Sequence, residues 1–461
     1  MVDPVRSTPP TGTESEVPPS QLRRAVAASA LGNATEWFDY GVYAYVATEI
    51  GQNFFPGEYS TLGALLVFAV SFVLRPLGGI VWGPLGDRLG RTTVLATTIM
   101  LMCGATFLVG VLPGYATIGI WAPILLVLLR VVQGFSTGGE YGGAATFMAE
   151  YAPDKKRGFW GSFLEFGTLA GFTAAVVVVY LVELVVGDAA MADWGWRIPF
   201  LLSLPLGGIG LYLRLKMEDT PVFRELEEAG ESESGATLAI KALIVEYWKP
   251  VLQLFGLVIA LNVINYTLLA YMPTYLQETI GLTSGSTDLL VIIGQVAMMI
   301  VIPFAGALSD RIGRKPCWWI SLIGTFVLAI PMFLLMAQGL VPAIIAFTVL
   351  GLVYVLQLGT ISATFPAMFP THVRYSGMAI SYNVATAAFG GTALAVNEAL
   401  ISATGDNLIP AYYMMGSCVI GMIALWFVIE TKGCSLRGRG VPGVISRPAG
   451  RRPGSGRSVS T

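Results

Sequence analysis

The sequence predicts an all-α polytopic membrane protein, with twelve transmembrane helices in two pseudo-symmetric six-helix bundles. Composition, the placement of basic residues and an internal repeat carry that reading. Of the 461 residues, 54% are hydrophobic and 12% charged, and the mean hydropathy is +0.69. A soluble domain carries about 25% charged residues, so half that value points to lipid as the solvent. A bilayer core about 30 Å thick needs about 20 apolar residues per helix, and twelve spans therefore take about 240–280 residues.

Apolar runs place the helices near 26–48, 61–84, 93–112, 119–149, 158–186, 195–214, 250–272, 287–309, 317–338, 341–368, 375–402 and 410–429. Pro, Gly and polar residues interrupt the stretch 341–402, which membrane helices tolerate when the breaks are packed in protein or line a cavity. Of the 27 Lys and Arg, only Arg75, Arg130 and Arg197 fall in helices or at a helix end. The other 24 occupy the N-terminus, the C-terminal tail and the loops after the second, fourth, sixth, eighth and tenth helices. Basic residues accumulate on the cytoplasmic side, so the alternation predicts an even helix count with both termini cytoplasmic; a bacterial cytoplasmic membrane is the expected location.

The charged stretch around 215–249 divides the chain. The expected organisation is a disordered cytoplasmic N-terminus (1–25), an N-terminal bundle (26–214), a cytoplasmic central loop (215–249), a C-terminal bundle (250–430) and a disordered cytoplasmic tail (431–461). The halves repeat each other. GPLGDRLGR at 83–91 returns as GALSDRIGR at 306–314, offset by 223. Pro153 precedes Arg157 by four residues and Pro370 precedes Arg374 by four, offset by 217. Two independent matches at nearly equal offset indicate six-helix halves of common plan.

The twice-occurring G-x-x-x-D-R-x-G-R loop resembles the signature of the major facilitator superfamily. LGNATEWFDYGVYAYV (31–46), RPLGG (75–79), QGFSTGGEYGGA (133–144) and DWGWRIPF (193–200) are similar to its metabolite:H⁺ symporter family. FLEFGTLAGF (163–172), ALNVINYTLLAYMPTYL (260–276) and FPAMFPTHVRYSGMAISYN (365–383) narrow the likeness to the osmoregulatory proline/betaine symporters within it. The tail after Lys432, rich in Arg, Gly, Pro and Ser, lacks the heptad repeat of a coiled coil, so regulation through one is not supported. The resemblance implies proton-coupled import of a zwitterionic compatible solute (proline, glycine betaine or ectoine) by alternating access. Symport of an organic anion such as α-ketoglutarate, citrate or shikimate is the alternative. It also implies a cytoplasmic latch built from Gly83, Asp87, Arg88, Arg91 and Arg157 in the first half and Asp310, Arg311, Arg314 and Arg374 in the second. There each Asp would meet a helix N-terminus of the other half, near Gly158 and Tyr375, where free backbone N–H groups favour a carboxylate. Anchoring of the topology by the same arginines is the simpler account.

Charges inside membrane helices suggest function. The first half holds Glu36, Asp39, Arg75, Arg130, Glu140 and Glu165. The second offers amides and phenols instead, among them Asn262, Asn265, Tyr266, Tyr354, Gln357, Tyr382 and Asn383. Proton coupling is therefore expected in the first half, through Glu36, Glu140 or Glu165 with Arg130 as the exchanging partner. Asn33, Glu36, Tyr40 and Tyr43 share one helical face beside Trp37. Gln133, Thr137 and Glu140 share another. A zwitterion needs aromatic faces or a carboxylate for its cationic nitrogen, and amide, phenol or Arg donors for its carboxylate. The expected substrate contacts are Asn33, Glu36, Trp37, Tyr40, Tyr43, Gln133, Asn262, Tyr266 and Asn383. Packing and an ion-pair network explain the same residues more blandly.

The chain shows no metal cluster, phosphate loop or nucleophile constellation, so no cofactor, no enzyme activity and no nucleic-acid partner is expected. His372 is the single histidine and reads as a loop residue. The basic tail could touch anionic lipid, which disorder explains equally well.

Overall fold

The computed structural model describes residues 19–89, 91–138, 140–215 and 245–436. Within them, the side chains of residues 83–96, Glu140, His372 and a few others fall outside the description. The candidate residues Gly83, Asp87, Arg88, Arg91 and Glu140 are thus placed by backbone only.

Twelve helical spans follow one another: α1 (19–54), α2 (60–89), α3 (Arg91–Val111), α4 (121–151), α5 (Arg157–Val186), α6 (197–215), α7 (Trp248–Thr279), α8 (Ser284–Ile312), α9 (Arg314–Met336), α10 (Leu340–Thr364), α11 (371–404) and α12 (Ile409–Phe427). Eight helices among the described residues are long and apolar enough by themselves to cross a membrane, and parts of α3, α4 and α6 form shorter apolar helices. The first helix satisfies neither description, because it carries Asn33, Glu36 and Asp39, all buried inside the protein. Its polarity is hidden from lipid, so hydropathy alone underrates it.

The two halves meet where α5 packs on α8 and where α2 packs on α11. Under the six-helix repeat α5 corresponds to α11 and α2 to α8, so the two contacts are one contact seen twice. Apolar residues of α3, α6, α9 and α12 point outward, among them Met100, Ile209, Val327 and Trp426, as expected of lipid-facing helices. Small residues set the closest crossings. A Cβ on Gly134 would stand 1.8 Å from the Ser71 carbonyl oxygen, and one on Gly138 would stand 2.0 Å from that of Arg75. This closeness pins α4 to α2. Gly158 and Gly306 do the same between the halves, each Cβ position lying 2.4 Å from the other's carbonyl oxygen.

α7 departs from regular geometry. Two wide π-helical turns, Thr267–Tyr271 and Tyr275–Thr279, flank the segment that contains Pro273. A proline removes a backbone donor, and π-turns accommodate the break and recur at functional sites.

Residues 431–436 pack against the end of the molecule that carries the two Asp-Arg loops, with Cys434 and Leu436 each 4% exposed. Leu436 joins Ala149 and Ala367 in a small apolar cluster.

Candidate functional site

A small cavity lies between the halves. Trp37 of α1, Tyr141 of α4 and Glu165 and Thr168 of α5 line one wall. Asn262 and Asn265 of α7, Tyr354 of α10 and Tyr382 of α11 line the other, with Leu261, Leu358 and Ile361. About 10 Å³ of it admits the centre of a water-sized sphere, room for about one water. A solute therefore requires the halves to part slightly.

Glu165 is the one carboxylate of the cavity lining among the described residues. Tyr141 donates to its Oε1 at 2.5 Å and Thr168 to its Oε2 at 3.0 Å. Tyr141 also stacks on Tyr382 across the interface, ring centroids 4.2 Å apart and 16° from parallel. Glu165 is thus held by two hydroxyls, and among the described residues no Arg or Lys lines the cavity. On the facing wall, Tyr354 donates to Asn265 Oδ1 at 2.8 Å and Asn262 Nδ2 donates to Thr386 at 2.8 Å. Asn33 stands behind the wall, donating to the Leu164 carbonyl and to Thr168 at 2.8 and 2.7 Å. Its Oδ1 accepts from the Trp37 indole at 3.1 Å, so Asn33 orients the cavity's tryptophan and threonine.

The charged residues of α1 do not line this cavity. Glu36 pairs with Arg75 at 3.3 Å, both nearly without exposure. The sequence reading expects Arg130 as the partner of a coupling glutamate. The structure gives Glu36 to Arg75 instead, because the Gly134 and Gly138 crossing sets α2 close against α4. Arg75 also lies over the Tyr40 and Phe72 rings at 4.8 and 4.6 Å. Arg130 bonds Gln133 and lies 3.8 Å from the Tyr43 ring centroid. Gln133 donates to Thr106 at 2.8 Å, and Thr106 donates to Asp39 at 3.1 Å. Tyr40 meets Thr137 at 3.0 Å and Tyr43 donates to the Ala64 carbonyl at 3.0 Å.

Of the nine expected substrate contacts, Trp37 and Asn262 line the cavity. Tyr266 lies behind Trp37, ring centroids 6.1 Å apart, with its hydroxyl buried and unpartnered. Asn383 donates across the interface to the Gly138 carbonyl at 2.8 Å. Glu36, Tyr40, Tyr43 and Gln133 belong to the charged cluster within the first half. Local sequence pattern does not single out Tyr141 or Thr168. Thr168 stands three residues after Glu165, one helical turn away, a usable signal only once Glu165 is known to face the site. Tyr141 directly follows Glu140 in the sequence.

At the Asp-Arg end, Asp310 accepts from the Gly158 and Phe159 amides, both at 2.9 Å, across the interface. Arg314 supports it at 2.7 Å. Arg374 pairs with Glu150 of the first half at 3.0 Å, while Arg157 pairs with Asp154. The two arginines repeat one geometry. Arg157 Nε donates to the carbonyl of Ala149 and Arg374 Nε to that of Pro366, each 3.0 Å away and eight residues upstream. Arg157 also reaches the Cys434 carbonyl at 2.7 Å, and Arg374 the Leu436 carbonyl at 2.6 Å. The side chain of Arg311 is exposed.

The family model described as Major Facilitator Superfamily matches residues 29–396. The proline/betaine transporter of Escherichia coli (strain K12) is 44% identical over 428 residues, covering 91% of this chain and 85% of that protein. The glycine betaine/proline/ectoine/pipecolic acid transporter OusA of Dickeya dadantii matches with the same identity and coverage. The ectoine/proline transporter ProP of Corynebacterium glutamicum is 41% identical over 437 residues, covering 92% and 87%. Among solved structures, the proton:xylose symporter XylE superposes with a TM-score of 0.71 at 19% identity, covering 92% of this chain and 98% of that one. The fold, the doubled Asp-Arg loop and these matches together make the chain a member of the Major Facilitator Superfamily.

Proposed function

We propose that the chain is a proton-coupled symporter that imports a zwitterionic compatible solute, of the proline, betaine or ectoine kind, by alternating access. The carrying observation is the cavity lining, which among the described residues comprises one carboxylate, four aromatic side chains and two amides, with no Arg or Lys. Aromatic faces and Glu165 suit a cationic nitrogen, and the amides and phenols suit a carboxylate. An organic anion would need a cation in the lining, and Arg75 is already paired with Glu36. The transported solutes in the relatives' names support the same class.

Glu165 takes the proton in this reading, ahead of Glu36, because hydroxyls rather than a guanidinium hold it. A hydroxyl can donate to a carboxylate or accept from a carboxylic acid, so both protonation states keep their bonds. Trp37, Asn262, Asn265 and the Tyr141–Tyr382 stack contact the solute. Asn33 positions them. Asp310 and Arg374 hold the Asp-Arg end shut, and that end faces the cytoplasm together with both termini. Residues 26–214 and 250–430 are the two rocking units.

The test is uptake of radiolabelled proline, betaine, ectoine and α-ketoglutarate into proteoliposomes under an imposed pH gradient. Accumulation of a zwitterion that collapses with the gradient is the expected result. Accumulation of α-ketoglutarate alone would overturn the assignment.

A further inference from the structure

The end opposite the Asp-Arg loops is closed by carboxylates. Glu278, at the end of α7, accepts from Thr48 of α1 at 3.0 Å and Thr61 of α2 at 2.8 Å. Glu183 of α5 accepts from Ser284 of α8 at 3.0 Å. Every one of these bonds crosses between the halves. Beneath them Tyr45 of α1 donates to the Leu269 carbonyl at 2.9 Å and accepts from Gln295 of α8 at 2.7 Å.

Asp288, in the second turn of α8, projects into this seal. It is 1% exposed, and its Oδ2 has no hydrogen-bond partner. The sequence reading expects no charge deep in the second half, so this residue is a finding of the structure. Its electrostatic neighbours are Glu183 of α5 and Glu49 and Tyr45 of α1. Glu49 in turn faces Glu183 and Glu278, and Glu183 faces Asp188. The only titratable residue of α10 is the phenol Tyr354, which is bonded to Asn265 in the cavity wall. The base of the sequence nearest this end, Arg197, is engaged by the Gly110 and Leu112 carbonyls and faces Asp193. Among the described residues no cation faces Asp288.

A buried carboxylate without a counter-charge is unfavourable when ionised, and neighbouring carboxylates add repulsion. Drawing the halves together at this end therefore buries Asp288 among carboxylates without a counter-charge from the described residues. The seal's Ser and Thr hydroxyls serve either form, so the cross-interface bonds persist after protonation. We propose that this seal is a proton-binding site separate from Glu165: Asp288, with Glu183 and Glu49 beside it, binds protons from the outer solution, and their binding closes the carrier at that end. The proposal rests on reading the chain as an alternating-access proton symporter with this end outward.

The test uses the full chain in lipid nanodiscs with no solute. Spin labels at Tyr59→Cys and Ala403→Cys report the separation of the two halves at this end, while the four native cysteines are buried. Pulsed electron paramagnetic resonance distances are taken from about pH 5 to about pH 9, a range that starts just above the ordinary carboxyl values. The short distance should dominate at low pH and give way to a longer one as pH rises. Asp288→Asn mimics the protonated form and should raise the closed share at the alkaline end about threefold or more, a shift within reach of one coupled proton. Glu183→Gln should act in the same direction, and it carries the test alone if Asp288→Asn fails to fold. Glu165→Gln should keep the titration. A parent protein whose distances ignore pH, Asn and Gln variants that both track the parent, or loss of the titration in Glu165→Gln would each overturn the proposal. Because no solute is present, a failed uptake assay and a failed titration are separate results.

Discussion

Glu36 and Glu165 are both buried carboxylates of the first half, 3% and 2% exposed, yet they stand in opposite chemistry. Glu36 faces the Arg75 guanidinium, which is itself wrapped by Tyr40 and Phe72. Glu165 faces the interface and is held by Tyr141 and Thr168. A carboxylate beside a fixed guanidinium stays ionised, because protonating it would strand a buried cation. A carboxylate held by hydroxyls can exchange its proton without stranding anything. Burial alone therefore does not mark the coupling residue; the partner does. In the proposed function the first is a structural ion pair and the second the transport group.

Exchange of each glutamate for glutamine should separate the two most sharply. Glu165→Gln should abolish accumulation driven by a pH gradient while solute counterflow persists, since exchange needs no net proton movement. Full accumulation in this variant would end the case for Glu165. Glu36→Gln should instead damage the fold. Removing one partner of a buried pair costs about 3–5 kcal/mol, so thermal stability in detergent should fall well below that of Glu165→Gln. A Glu36→Gln protein of parental stability that had lost only coupling would reverse the two roles.

The wall facing Glu165 can be probed next. Asn262→Ala removes a donor at the cavity and leaves Thr386 without its amide. A lost hydrogen bond worth about 1 ± 0.5 kcal/mol should raise the half-saturating solute concentration roughly fivefold, with the maximal rate nearly kept. An unchanged value would remove α7 from the binding site. The smallest effect is expected farthest from the cavity. Asp310→Asn keeps the shape but loses a charge–dipole contact with the Gly158 and Phe159 amides worth about 0.3–2 kcal/mol. Cysteine accessibility at the Asp-Arg end should rise modestly, and an unaltered labelling rate would show that Asp310 does not hold that end closed.

The twelve spans and the twofold plan were legible in the sequence because both depend on local composition. Apolar runs, loop charge and the repeated Asp-Arg loop each report on the chain near themselves. The polar first helix was also recognisable, since its Asn33-to-Tyr43 stripe follows the helical period. Which way that stripe pointed was not. Its partner depends on how tightly α2 and α4 cross, and that distance is set by Gly134 and Gly138 meeting backbone from residues 71 and 75. By its period the stripe reads as a substrate face, whereas Tyr40 and Tyr43 bond within the first half. Trp37, treated as a flank, is the residue of that stretch that reaches the cavity. The stack of Tyr141 on Tyr382 joins residues 241 positions apart, a pairing no local pattern encodes. Asp288 was hidden for another reason. It lies within two turns of a helix end, where a charge reads as a solvated flank until the facing half covers it.

The segment 434–436 has a practical meaning for anyone engineering this carrier. One carbonyl of it is gripped by Arg157 from the first half and another by Arg374 from the second, so it works as a staple driven across the seam between two mirrored jaws. Reporter domains and affinity handles fused beyond Leu436 leave the staple in place. A fusion point before Cys434 pulls it out and removes one acceptor from each arginine. A truncation series that crosses this short stretch would thus give a graded set of locked and unlocked carriers from which to capture different stages of the cycle.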